Sequence, residues 1–559
     1  MDETRPTEMT TPDAAPASAG RGRVIAVAAA ALALTVASGY AGVGLARWLK
    51  SACLGTPTAT APAFPGGLFR DWKKPDLVVV VTAEMHGYVL PCGCSRPQVG
   101  GLERRYNLLQ LFKKAGWPYA AVDVGDMAQN HGPASLPNQQ ALIKYLYTMR
   151  ALKAMDYTAV GFGQVEAGQG LFTLLAEYAL QDPKPRVLAA NLIDAATNFP
   201  EMTQPLETVT PAGSGIRVGV TAMVGPAVAT RMKGLDKTLK FERTTDALDR
   251  VLKQMAADRV QLPILLYQGT VQGEGTAKPS GEPVACAEAY PQIPIIACLS
   301  SGDEPPARPV EVATARGKSL VISLGHKGKF VGVVGVWKTG DPQRPFDLRY
   351  ERVELTEEFL TSADARPKHA IAELMETYTL DLKNQNYLEK YGQVSHALQV
   401  LPPVAGLDKN VPVSYVGSET CKKCHKKSYE IWKKTPHSHA YQTLADATAP
   451  SNRQFDPECI VCHTIGFGQQ SGFVTEARTP QLKNVGCESC HGPASMHVAN
   501  PNDPEWQKRI NPWKYLPATS RTAAIDQFCQ KCHDIDNDVT WIHNAFPKKW
   551  AKIDHKESE

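Results

Sequence analysis

The chain has 559 residues, about three domains' worth of length and too many for a single hydrophobic core. With 60 basic residues against 56 acidic ones and a net charge of +4, charge is nearly balanced, which argues against nucleic acid as a partner.

Residues 1–23 are rich in Thr, Pro, Ala and Ser, a composition that predicts a disordered tail. Residues 24–46 carry no charge and as a helix would rise about 34 Å, enough to cross a hydrocarbon core of about 30 Å. They read as an uncleaved transmembrane anchor, since the apolar run exceeds the roughly 7–15 residues of a signal core. A signal segment cut near Ala37-Ser38-Gly39 is the alternative. Arg21 and Arg23 precede the run and Arg47 and Lys50 follow it, so flanking charge leaves its orientation open. Cys53 lacks a convincing lipidation motif, and residues 47–75, with Pro57, Pro62, Pro65 and Gly66-Gly67, read as a linker.

Across 76–340 short apolar runs alternate with amphipathic stretches, which predicts an α/β domain. Strands are expected at 77–81, 119–124, 157–160, 186–190, 216–223, 262–267 and 293–298, with a closing β-rich pair at 319–324 and 330–337. Helices are expected at 102–114 and 139–155.

Three blocks follow predicted strands in order. They are Glu84 and His86 in Thr82-Ala83-Glu84-Met85-His86-Gly87, the run Gly100-Gly101-Leu102-Glu103-Arg104-Arg105, and Val124-Gly125-Asp126. Together they resemble the opening blocks of the 5'-nucleotidase branch of calcineurin-like metallophosphatases. The resemblance implies a four-layer α/β/β/α sandwich with metals at strand ends. It also implies that much of the site has gone: the Gly-Asn-His-Glu block corresponds to Gly163-Gln164-Val165-Glu166, a later ligand His to Gln268, and a Gly-His-x-His block to the His-free run from Leu299 to Asp303. With Glu84, His86, Asp126 and Asn191 left, a dinuclear site lacks ligands for its second ion. The expectation is an inactive phosphatase-like domain with a vestigial site at Glu84, His86 and Asp126, holding at most one residual divalent metal. Cys92 and Cys94 directly after the first block read either as an extra metal or redox site or as disulfide partners of Cys286 and Cys298.

Residues 341–410 read as a spacer. A helix over 367–391 starts at Pro367 and carries Ile371, Leu374, Met375, Tyr378 and Leu382 as one apolar stripe, before Pro402 and Pro403 break the chain.

The last segment, 411–559, writes one five-residue word four times: Cys421 and Cys424 with His425, Cys459 and Cys462 with His463, Cys487 and Cys490 with His491, Cys529 and Cys532 with His533. Two thiols three residues apart can bond both vinyl groups of a haem, and the adjacent His then ligates its iron. Zinc would want a second Cys or His pair to close each site. Four c-type haems are therefore expected in a mainly α, loop-rich domain, with the porphyrins supplying apolar bulk that the sequence lacks.

Tyr415 to Cys421 with Trp432 and His437, the run from Cys487 to His497, and the closing Trp550 to His555 resemble the tetrahaem cytochrome c554 family. That resemblance implies His437 as ligand to a neighbouring haem and His497 as ligand to the fourth. His555 is the third candidate distal ligand, with His439 or His543 as a fourth, and the His-free stretch between His463 and Cys487 leaves the first or second haem open to five-coordination. Covalent haem implies an extracytoplasmic, periplasmic chain held to the cytoplasmic membrane by one pass. Six lysines between 422 and 434 could guide an acidic redox partner protein or form a solvated face. The expected activity is electron transfer. The alternatives are an oxidoreductase acting on a small nitrogen or sulfur compound at a five-coordinate haem, or an active nucleotidase carrying a redox module.

Overall fold

The computed structural model describes residues 64–91, 96–170, 175, 184–193, 202–401, 412–541 and 545–555. The anchor over 24–46, Cys53, Cys92, Cys94 and His543 lie outside them, and no helix among the described residues is long and apolar enough to cross a membrane.

Among the described residues twelve strands form two sheets. They are β1 (Leu77–Thr82), β2 (Tyr119–Asp123), β3 (Tyr157–Gly161), β4 (Arg186–Leu188), β5 (Glu207–Val209), β6 (Val218–Val224), β7 (Leu262–Thr270), β8 (Ile295–Leu299), β9 (Val310–Thr314), β10 (Gly317–Ser323), β11 (Phe330–Lys338) and β12 (Phe346–Glu354). One sheet runs β12-β11-β1-β2-β3-β4 and the other β5-β6-β7-β8-β10-β9. Both are mixed: β1 pairs parallel with β2 and antiparallel with β11, and β10 pairs parallel with β8 and antiparallel with β9.

Alternation along the second sheet sets the layers. Val218, Val220, Ala222, Ile264, Leu266 and Ile322 face a core shared with the first sheet, whereas Met223, Leu265, Tyr267, Ile296 and Val321 face the helices Thr244–Ala257 and Glu282–Ala289. Strand β1 is an unbroken Val-rich run buried on both faces, as a central strand covered on both sides requires. Helices α1 (Leu102–Ala115) and α2 (Ala141–Ala154) send Leu108, Leu109, Phe112 and Met149 into the same core, which completes the α/β/β/α order.

The sheet domain outruns the boundary expected at 340. Strand β12 pairs along its whole length with β11, from Phe330 against Glu354 to Lys338 against Phe346, so the fold continues to Glu354. Leu348 and Val353 are its only buried residues, and this charged edge strand has no apolar period to reveal it. Strands β5 and β9 were hidden for the same reason, being short or half-exposed.

The spacer helix α3 (Ala370–Asn384) starts one turn later than expected, because His369 caps it by accepting from the Ala372 amide at 3.2 Å. Its stripe of Ile371, Met375, Tyr378 and Leu382 is buried against the sheet domain, so it is part of that domain's outer layer. Beyond 412 the chain forms short helices and turns with two small apolar clusters, one around Ile460, Ile465 and Phe473 and one around Ile525, Trp541 and Phe546.

Candidate haem and metal sites

Each Cys-X-X-Cys-His word lies on or at the end of a short helix: Ser418–Cys421, Pro457–His463, Cys487–His491 and Ala518–Cys529. One helical turn brings residues i, i+3 and i+4 to the same side, so both thiols and the imidazole address one space. The turns close by backbone bonds, His425 to Cys421 at 2.9 Å and His533 to Cys529 at 3.0 Å.

That space is one continuous cavity of about 2020 Å³. A pocket for a single small ligand holds about 300–1,000 Å³. All motif cysteines line it except Cys424, which is exposed, and so do the four motif histidines. Words far apart in sequence are neighbours: the thiols of Cys421 and Cys487 share a hydrogen bond, as do those of Cys462 and Cys532. The first word thus stands beside the third, and the second beside the fourth.

Three motif histidines face a histidine from another part of the domain. Ring centroids are 6.1 Å apart for His425 and His497, for His437 and His533, and for His491 and His555. Two imidazoles on opposite sides of one ion, with metal–nitrogen bonds of about 2.0–2.1 Å as at zinc, would stand about 6.3 Å apart. The repeated spacing therefore fits an iron atom between each pair. The pairs also amend the expected assignment: His497 faces the first word, and the ring facing the fourth is His437.

Hydrogen bonds fix the tautomers. His463 Nδ1 donates to the Ala440 carbonyl at 2.6 Å, His491 Nδ1 to the Ile510 carbonyl at 2.7 Å, and His555 Nδ1 to the Ile553 carbonyl at 2.9 Å. A carbonyl can only accept, so Nε2 keeps the lone pair that binds a metal. His533 Nδ1 lies 2.8 Å from Asp538 Oδ2, and Trp541 stacks on the ring at 4.4 Å. Burial holds His437 at a pKa of about 4, so its imidazole is neutral at physiological pH. His439 is exposed and pairs with none of these rings.

At the sheet ends the residues expected to form a vestigial metal site separate. Glu84 and His86 stay together and are joined by His326, their ligand atoms all within 4.8 Å of one another. Asp126 turns away: its Oδ1 accepts from the Val165 amide at 2.7 Å. Glu166 binds the same turn through the amides of Asp126, Met127, Ala128 and Gly163. Asn191 bridges to both backbone groups of Val224, at 2.8 and 2.9 Å, and Gln268 Nε2 donates to the Val124 carbonyl at 2.8 Å. These side chains splice strand ends. Cys286 and Cys298 are buried thiols that do not bond each other, and the partners expected for them, Cys92 and Cys94, lie outside the described residues.

The cytochrome c554 and c-prime family model matches residues 420–492. Cytochrome c-554 of Nitrosomonas europaea is 31% identical over 157 residues, covering 25% of this chain and 66% of that protein. Over these residues the C-terminal region is similar to cytochrome c554. The chain thus spans just under two thirds of that relative's length. Among solved structures, the chain is similar to a 5'-nucleotidase precursor from Thermus thermophilus, with 18% identity, 57% of this chain and 60% of that one covered, and a TM-score of 0.44. It is also similar to an NAD nucleotidase of Haemophilus influenzae, with 16% identity, 63% and 68% covered, and a TM-score of 0.43. The two-sheet architecture stands on its own strand pairing.

Buried polar contacts fasten the C-terminal domain to the sheet domain. Glu458, beside Cys459, receives Lys144 Nζ and Gln129 Nε2, each at 2.5 Å, and Asp456 receives Gln140 Nε2 at 3.0 Å. Beyond the fourth word, Asp536 pairs with Lys327 and, at 2.7 Å, with Lys329. Sequence reasoning missed His326. Its signal in the sequence is the Gly325-His326 step just past the predicted strand 319–324.

Proposed function

We propose that this protein is an extracytoplasmic electron-transfer cytochrome carrying four c-type haems, anchored by residues 24–46, with the sheet domain as its scaffold. The observation that carries this reading is the set of three His pairs at 6.1 Å across different words, inside one cavity lined by the motif thiols. Bound haem iron supplies one-electron chemistry. The chain's own residues would attach it through the paired thiols and the motif histidines, with His497, His555 and His437 facing three of those histidines. Placing words one and three, and two and four, side by side suits exchange between neighbouring groups.

The first word is the natural port for a partner. Cys424 is exposed, and so are Lys422, Lys423, Lys426, Lys427, Lys433 and Lys434 around it. Such a surface favours an acidic redox protein. Hydrolysis of phosphate esters is not part of this reading, because Asp126, Asn191 and Gln268 are committed to structural hydrogen bonds.

The test is the mass and spin state of the holoprotein made in a host that matures c-type cytochromes. The expected result is a mass increase of four haems, with low-spin spectra for the haems of the first, third and fourth words. A mass equal to the bare polypeptide would overturn the reading. Turnover of hydroxylamine or of a sulfur compound at a high-spin haem would replace it with an oxidoreductase, and nucleotide hydrolysis in manganese with a nucleotidase.

A further inference from the structure

We propose that Glu84, His86 and His326 form a mononuclear site for a divalent first-row transition ion, set against the loop that follows the fourth Cys-X-X-Cys-His word. The ligand atoms lie within 4.8 Å of one another. Two ligands on one ion, each at about 2.0–2.2 Å, stand up to about 4.4 Å apart, so small side-chain rotations close the site.

The three side chains converge there. His326 stands between two carboxylates, its Nδ1 3.0 Å from Asp303 Oδ1 and its Nε2 3.3 Å from Glu84 Oε1. The carboxylate behind the imidazole is the usual support of a metal-bound histidine. The second oxygen of Glu84 accepts from the Ser300 amide at 2.6 Å and fixes the carboxylate. His86 stands edge-on to His326 at 5.3 Å, and its Nδ1 is buried without a hydrogen-bond partner. An ion on the ring would account for this orphan.

The backbone is bent to present these groups. Glu84 and His86 have φ of 49° and 47°, in the left-handed region that costs a non-glycine residue free energy. Amide bonds from Glu84 to the Gly125 carbonyl at 2.9 Å and from His86 to the Asp126 carbonyl at 3.0 Å hold the bend.

Two imidazoles and one carboxylate with open positions form the ligand set typical of ferrous non-haem centres. It differs from the set that the metallophosphatase resemblance implies, since Asp126 and Asn191 are engaged elsewhere and the new ligand comes from the end of β10. The adjacent Lys327 pairs with Asp536, three residues past His533, so the site abuts the cytochrome domain.

The experiment is calorimetric titration of chelator-treated holoprotein with cobalt(II), a probe distinguishable from haem iron. Wild-type protein is expected to bind one equivalent. His86→Ala and His326→Ala should each weaken binding at least tenfold, and Asp303→Asn should weaken it about tenfold. The cobalt K-edge spectrum of the wild-type complex should show two imidazoles and a carboxylate, which decides the matter even if a variant fails to fold. No binding by wild-type protein, unchanged affinity in folded His326→Ala, or a cobalt shell without imidazole would overturn the proposal.

Discussion

Lys144 on α2 and Glu458 at the start of the second haem-word helix meet at 2.5 Å, although 314 residues separate them. Their side chains are only 7% and 17% exposed. Breaking a buried pair leaves an uncompensated charge and costs about 3–5 kcal/mol. Lys144→Ala is therefore expected to lower the melting temperature of the holoprotein by several degrees, read by tryptophan fluorescence. The double variant Lys144→Met with Glu458→Leu should recover most of the loss. An unchanged melting temperature in Lys144→Ala would show that the interface does not depend on this pair.

The pairing of His437 with His533 makes a sharper prediction for the fourth haem. His437→Ala should turn one low-spin haem high-spin in the oxidised protein and create a site for carbon monoxide in the reduced one, while the haems at His425 and His491 keep their signals. If the lost low-spin signal instead belongs to the first haem, the facing pairs are wrongly matched.

Much of this arrangement is legible in the letters because strong local patterns carry it. The Val-rich run at Leu77–Thr82 and the thiol spacing at Cys421 and Cys424 each encode their role within a few residues. What stays hidden depends on distant partners. Nothing near His497 says that it faces His425 and not His533, because a ligand ring is chosen by how four words fold around one cavity. Glu84 and His86 could be found from their block, whereas His326 joins them from 240 residues away through the crossing of β1 and β10 into adjoining sheets. Asp126 shows the converse: its motif suggested a ligand, and tertiary context made it a splice between turns.

Asp538 tunes the fourth word. Burial works against its charge, but hydrogen bonds from Lys549, Thr540 and His533 outweigh burial and hold it below the usual carboxylate range. A carboxylate on Nδ1 makes the imidazole a stronger donor to iron and favours the oxidised state. Asp538→Asn should raise the potential of the fourth haem by something on the order of tens of millivolts, about 59 mV marking a tenfold change in a one-electron equilibrium. Spectroelectrochemistry resolves this, and a shift confined to another haem would contradict the assignment.

The contact between Asp536 and the lysines of the β10–β11 turn predicts how the two domains respond to acid. Burial alone would raise the Asp536 pKa, but Lys329 and Lys327 overcome it and hold the folded-state value below the ordinary one near 3.8. A group with a depressed folded pKa adds stability above its unfolded pKa and loses it as pH falls through the lower folded value. The contribution should thus be intact at neutral pH and fade below about pH 4. Melting curves of wild-type protein and Asp536→Asn are expected to differ at pH 7, with the variant less stable, and to converge toward pH 3. A gap that persists unchanged at low pH would mean that the side chain acts through packing and not through its charge.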